Sequence, residues 1–457
     1  MVFPHHTHSP GEQTVAHTLS ASIARTPTLT QPGLSRSLRR WLVAELGCLR
    51  PQIAQAAVRC GAERYRKHFH AFAHACLLLF HAFSGAASLR QSYATFALCP
   101  GLVALSGLAK QDQPAGERLG VSFSQFAQSN TSRPAAFLGL LIPSLVERVR
   151  HLGPAPREAL PPDLCVIDST FLRLSLQLAS WLPCSSKADI PGVRLQVQYS
   201  PALDLPEGVV VTDNRTNDCQ GLDVAVLEDP GRLRCLAGRT LVLDLGYYSH
   251  RRFSALRQGG VHFVSRLHPQ ASLQLEEDLP LPSPLPGLPA GRIAILADQQ
   301  VTLGSANNRA GAVLKGLRLV TARVLPLPKA AGRGAQPLTY QLLSDRWDLE
   351  AEQVVQAYLW RWQIELFFRW LKSQIHLPRL LGYSPNAVEL SVWLGLITHL
   401  LTVLAMNALG LNRRTPALVR QIGHLLGFLC PNDLVAAANT PYQYPFPGGY
   451  SRLQAPT

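Results

Sequence analysis

The spacing of apolar and polar positions changes twice along the chain. From about residue 36 to 155, apolar residues recur three and four apart, as in LRRWLVAEL (38–46) and AAFLGLLIPSLVERVR (135–150), which predicts a helical region. Beyond the proline-bearing link PAPREALPPD (154–163) come short β-type runs: LCVID (164–168), VRLQVQYS (193–200), EGVVVTD (207–213) and TLVLDLGYY (240–248). SHRRFSALRQGG (249–260) reads as a helix closing on glycines, and VHFVSRL (261–267) as a further strand. The segment LPLPSPLPGLPAGR (279–292) is too rich in proline for a helix, and β-like runs follow it to 345. A helix is then expected behind Asp348 as N-cap, with Glu350 and Glu352 in its first turn, running to about 375 before Pro378.

Two uncharged stretches, 71–89 and 390–412, are long enough to cross a membrane. Their interiors carry His74, His81, Ser391, Thr398, His399, Thr402 and Asn407, polar groups that a buried helix satisfies more easily than lipid does, so both are expected to be core helices. With 47% hydrophobic and 16% charged residues over 457 positions, the chain suits two or three well-buried domains. Residues 1–35, rich in Ser, Thr, His and Pro, read as a loose tail without a signal peptide, in which His5, His6 and His8 are candidate metal contacts. The 43 basic against 29 acidic residues leave a net charge of +14, which favours polyanionic partners, nucleic acid first. Nine scattered cysteines without a CxxC pair argue against a zinc knuckle or disulfide framework and fit a reducing cytosol.

Candidate chemistry concentrates in YLWRWQIELFFRWLK (358–372), where a single carboxylate sits among cations and rings. At about 100° per residue, Tyr358, Arg361, Glu365 and Lys372 share one narrow stripe, and Trp362 lies beside it. Taken alone, this is equally an amphipathic helix with an ordinary i,i+4 Arg–Glu pair. Asp168 and Asp244 each close an apolar β-run, and neighbouring strands would bring them side by side. Paired carboxylates repel, and a divalent cation with oxygen ligands is the natural compensation; a third carboxylate from a helix across the sheet would complete a two-metal site. Each aspartate taken singly also suits a turn or cap. Asp213 and Asp218 are rivals that look like turn residues. Lys187 and Arg194 are candidate DNA contacts or solvated charges, and RYRKHF (64–69) mixes cations with rings in a way that suits DNA ends.

The spacing Y-x2-R-x3-E-x6-K from Tyr358 to Lys372 resembles the YREK signature of bacterial insertion-sequence transposases of the DDE class. CVIDSTFLRL around Asp168, the D-x-G-[FY] element at Asp244 to Tyr247, LLSDRWDLEAEQVVQAY ahead of the signature, and the segment after it are similar to the same family's blocks. Residues 64–90 resemble the module that often precedes its catalytic domain. The resemblance spans roughly 60–410 and implies an α/β, RNase H-like core with a β-rich insertion, preceded by an all-helical domain. Expected boundaries are a tail at 1–35, a helical DNA-binding domain at 36–155, the core at 160–268 and 342–410, the insertion at 269–341 and a C-terminal extension at 411–457.

By the same resemblance, Asp168, Asp244 and Glu365 are the triad that binds two Mg²⁺ or Mn²⁺ ions. Tyr358, Arg361 and Lys372 contact phosphates of the transposon end, and Trp362 is a candidate for base stacking, as in relatives that form a hairpin. The implied activity is strand cleavage at terminal inverted repeats followed by strand transfer to target DNA, by a homodimer formed on DNA, in the cytoplasm and nucleoid, without a membrane. The alternatives are a transposase-derived regulator that binds DNA without catalysis, and a nuclease of the same fold that cuts without joining.

Overall fold

A computed structural model describes residues 32–64, 68–84, 88–109, 119–152, 163–174, 192–281, 293–304, 313–326, 336–374 and 380–409, with a few isolated positions between them. His5, His6, His8, Tyr65 to Lys67, Lys187 and the extension expected at 411–457 lie outside the described residues, apart from Ile422. The chain divides into two compact units, one holding residues 155–370 and the other 25–154 with 371–457.

The second unit is helical where it is described. Its elements are α1 (Pro32–Arg59), α2 (Ala71–Ser84), α3 (Leu89–Ala97), α4 (Pro100–Ser106), α5 (Phe123–Ser132), α6 (Ala136–Gly139) and α7 (Ile142–Leu152). The first unit holds strands β1 (Leu164–Arg173), β2 (Gly192–Ser200) and β3 (Leu205–Asp213), then α8 (Asp218–Leu222), α9 (Pro230–Cys235), β4 (Thr240–Leu243), α10 (His250–Gln258) and β5 (His262–Arg266). It continues through β6 (Leu273–Asp278), β7 (Ile293–Leu303), β8 (Leu314–Val324), β9 (Leu338–Ser344) and α11 (Ala351–Trp360). The division falls inside α12 (Trp362–Gln374), and α13 (Pro385–Ala408) belongs to the helical unit.

All nine described strands form one sheet in the order β3-β2-β1-β4-β5-β9-β8-β7-β6. Its centre is parallel: β1 pairs with β4, and β4 with β5. Parallel strands are covered on both faces, which explains why LCVI and TLVL read as unbroken apolar runs and are wholly buried. The β-rich insertion expected at 269–341 extends this sheet, because β9 pairs antiparallel with β5 and β8, β7 and β6 add outward from it. Helix α11 lies across β4, β5, β7, β8 and β9.

Two boundaries differ from the sequence reading. Glu350, not Asp348, caps α11, through a reciprocal capping box with Gln353. Asp348 is instead taken by Arg346, whose Nε donates to Oδ1 at 2.7 Å. The single helix expected from 348 to 375 is interrupted at Arg361, where Arg361 N–H bonds Tyr358 O at 3.0 Å and Ile364 N–H bonds Arg361 O at 3.2 Å. Such i,i+3 bonds tighten the coil locally and turn the residues around the break.

Helix α13 starts on a Ser384 cap with Pro385 in its first turn and packs against α1, α2, α5, α6 and α7. Residues 342–410 are expected to belong to the catalytic core, and α13 within them packs against helices of 32–152. It is long and apolar enough to cross a membrane, yet most of it is buried against those helices. Its hydroxyls are satisfied within the helix: Ser391, Thr398 and Thr402 each donate to the carbonyl four residues back at 2.7–2.8 Å. In α2, His74 Nε2 lies 2.7 Å from Asn130 Oδ1.

Candidate active site

The site is built at the carboxyl end of the central strands. The pairing of Leu164 with Thr240 and of Val166 with Val242 sets the register, and two residues further on the same register brings Asp168 level with Asp244. Asp168 does not end its strand, because β1 continues to Arg173 alongside β2, with Asp168 opposite Val197. Asp244 immediately follows β4 and opens a single 3-10 turn over Leu245–Tyr247. Glu365 comes from the first turn of α12.

What these three acids share is Arg361. Its Nη1 lies 3.3 Å from Glu365 Oε1 and 3.8 Å from Asp168 Oδ2, and its Nε lies 3.9 Å from Asp244 Oδ1. The arginine is 3% exposed, while the side chains of Asp168, Asp244 and Glu365 are 17%, 23% and 17% exposed. The stripe is therefore turned inward at Tyr358 and Arg361. Tyr358 is buried too, and its hydroxyl donates to Asp244 Oδ1 at 3.0 Å. The N–H of Ser169 donates to Asp168 Oδ1 at 2.8 Å.

Burial pushes the Asp168 carboxyl up to about 7; Arg361 and the Ser169 N–H oppose the rise, and the neighbouring charges of Asp244 and Glu365 add to it. Burial works against the Arg361 charge as well, but Asp244, Tyr358, Asp168 and Glu365 outweigh it and keep the guanidinium protonated. Among the described residues, no three His, Cys, Asp or Glu side chains are grouped closely enough to hold a metal as they stand. The three acids surround a guanidinium instead.

The chain matches the family "Transposase DDE domain" over residues 159–401. It belongs to the DDE transposases of insertion sequences. Among its relatives is the "Putative transposase y4zB" of Sinorhizobium fredii, 27% identical over 320 residues that cover 69% of this chain and 79% of that protein. The "Probable transposase for insertion sequence element IS5377" of Geobacillus stearothermophilus is 27% identical over 241 residues, 53% of this chain and 56% of that one. A cryo-EM structure of the piggyBac transposase synaptic complex with hairpin DNA aligns over 95% of this chain and 83% of its own at 10% identity, with a TM-score of 0.34.

In this transposase the remaining predicted residues are distributed unevenly. Lys372 stands exposed in the last turn of α12. Trp362 is buried, with the Arg369 guanidinium 5.5 Å from its ring centre, so in this conformation the ring is not presented to a base. Trp360 is buried, as its place on the apolar side suggested. Asp213 holds a turn through the N–H groups of Arg215 and Thr216 at 3.0 and 3.1 Å.

Asp218 does more than form a turn. Its Oδ1 accepts from Ser169 Oγ at 3.0 Å and pairs with Arg194 Nη1 at 3.5 Å, and Arg194 also donates to Ser169 Oγ at 2.9 Å. This cluster adjoins Asp168 through Ser169. A Cβ at Gly246 would lie 2.5 Å from Asp218 Oδ2, so any larger residue there would push the Asp218 carboxylate aside. Sequence reasoning passed over Ser169; its one signal was its place directly after the first aspartate.

Proposed function

We propose that the chain is an active transposase that binds the terminal inverted repeats of its element and carries out divalent-metal-dependent strand cleavage and strand transfer, with Asp168, Asp244 and Glu365 as the triad of an RNase H-like core. The observation that carries this reading is the convergence of three carboxylates from β1, the end of β4 and α12 on one buried cation, at 3.3–3.9 Å. The donor set fits hard divalent ions, because carboxylate oxygens are what Mg²⁺ and Mn²⁺ take, and the centre these acids share is already a cation position. Two such ions, held by Asp168, Asp244 and Glu365, would supply charge stabilisation for the attacking and leaving oxygens at phosphorus.

The chain's own residues prepare that site. Tyr358 fixes Asp244 through its hydroxyl and Ser169 fixes Asp168 through its N–H, so both aspartates are oriented before any ligand arrives. Arg361 and Lys372 supply positive charge for backbone phosphates, which position a duplex without reading its sequence. The net charge of +14 adds long-range attraction for DNA. Recognition of the repeats falls to the helices of 32–152, and the pairing of two ends to a homodimer assembled on DNA.

Incubating the protein with a duplex carrying the inverted repeats that flank its coding sequence, together with Mg²⁺, tests the reading. Cleavage at the repeat boundary and joining to a plasmid are expected, with Glu365→Gln and Asp168→Asn binding the duplex without cutting it. Binding without cleavage by the unaltered protein would leave a regulator, and cutting without joining a nuclease. A covalently joined species on a denaturing gel would identify a hairpin route; two separate strands at all times would exclude it.

A further inference from the structure

Arg361 is an unusual counter-ion. A buried guanidinium is normally matched by short bonds, about 2.7–2.9 Å to a carboxylate, that use several of its five N–H groups. Here the nearest acidic oxygen is 3.3 Å away, the other two are at 3.8 and 3.9 Å, and the buried Nε has no hydrogen-bond partner among the described residues. The guanidinium also lies over the face of Tyr358, 5.6 Å from the ring centre. Three acids surround it, and none of them bonds it well. Such an arrangement neutralises repulsion at the cost of leaving a buried donor under-satisfied, so the arginine has something to gain by moving to a better acceptor.

The space it fills is the space a metal needs. Mg²⁺ takes carboxylate oxygens at about 2.0–2.1 Å, so ions held by these acids would need the space between them that the guanidinium now fills. We propose that Arg361 is a built-in competitor of the divalent ions: it holds the three carboxylates in readiness while DNA is absent, and backbone phosphate draws it away so that metal loading is coupled to DNA binding. The inference rests on the triad reading above. Charge balance supports it: with Asp168 ionised, three carboxylates and one arginine leave −2, whereas two divalent ions turn the same cluster to +2, at which point the arginine is better matched by phosphate than by the acids. The exchange is reciprocal, since a partner that raises metal affinity by some factor has its own affinity raised by the same factor.

The test follows Mn²⁺ binding to the full-length protein through the electron paramagnetic resonance signal of the free ion, at low salt, with and without an arbitrary short duplex. Without DNA, Arg361→Ala is expected to bind Mn²⁺ on the order of tenfold tighter than the unaltered protein. The duplex is expected to tighten binding to the unaltered protein by a similar factor, and binding to the variant by much less. Equal affinities for the two proteins without DNA would overturn the proposal. Should Arg361→Ala fail to fold, the unaltered protein alone decides: no tightening of Mn²⁺ binding by the duplex overturns it. Asp168→Asn separates this failure from a failure of the triad. If that variant keeps full Mn²⁺ affinity in the presence of the duplex, the ions are not held at Asp168 and the triad reading falls; if it loses affinity while Arg361→Ala changes nothing, only the competition is wrong.

Discussion

Two buried arginines in the sheet-bearing unit show how differently a fold can treat the same side chain. Arg318 on β8 meets Asp298 on β7 in a two-pronged pair, Nε to Oδ1 at 2.9 Å and Nη2 to Oδ2 at 2.6 Å, and also donates to the carbonyl of Leu349 just ahead of α11. One acid matches one base, with the spare donors used on backbone. Arg361, equally buried, is shared by three acids at 3.3–3.9 Å and leaves its Nε unused. The first arrangement is what a structural ion pair needs to offset desolvation. The second is tolerable only if the site has another use for its charges.

Substitutions can break or sharpen this contrast. The largest effect is expected from Glu365→Gln, which removes a proposed metal ligand and should lower cleavage of end duplexes by at least about a thousandfold, several kcal/mol of barrier, while gel shifts show DNA still bound. Asp298→Ala should leave an uncompensated buried charge at Arg318 and cost about 3–5 kcal/mol in urea unfolding. That loss should not respond to Mg²⁺ or Mn²⁺, whereas any loss in Arg361→Ala at pH 8 should be recovered by either ion. If metal rescued both equally, the distinction between the two arginines would fail.

Asp168 gives the next effect, and its sign is opposite to that of a typical paired carboxylate. Its folded-state value is pushed up from 3.8 to about 7, so the folded protein prefers the protonated form. Without metal, its contribution is most favourable in acid and is lost as pH rises toward 7. Asp168→Asn in EDTA should therefore become progressively more stable than the unaltered protein between pH 4 and 8, by up to about 4 kcal/mol, read as a widening gap in melting temperature. A gap that does not change with pH would place the Asp168 carboxyl in the ordinary range. The smallest change belongs to Asp348→Asn. Arg346 holds Asp348 down to about 2, but the side chain is 67% exposed. The expected cost at pH 7 is within about 1 kcal/mol.

Much of the fold was legible because its signals are local. LCVID, VRLQVQYS and TLVLD announced buried strands, and the polar groups in 71–89 and 390–412 pointed to core helices. The three spacings from Tyr358 to Lys372 pointed to a family, since a motif is read without knowing where its residues lie. The helical wheel assumes one regular helix, whereas the chain tightens at Arg361, yet Tyr358, Arg361 and Glu365 still meet at one site. What the wheel does not carry is that Tyr358 and Arg361 face acids from distant strands. Asp218 looked like a turn residue for the same reason: its bonds to Ser169 and Arg194 come from elements 49 and 24 residues away.

By itself, then, the amino-acid order determined which segments become strands or helices, which of them are buried, and which acidic and basic groups are available for chemistry. Only the tertiary structure decided that Asp168 lies level with Asp244, that strands β6 to β9 extend the central sheet, and that Arg361 fills the space between three acids. The physical reason is range: periodicity and capping act over one or two turns, whereas strand register and the meeting of charges depend on contacts that no local pattern encodes.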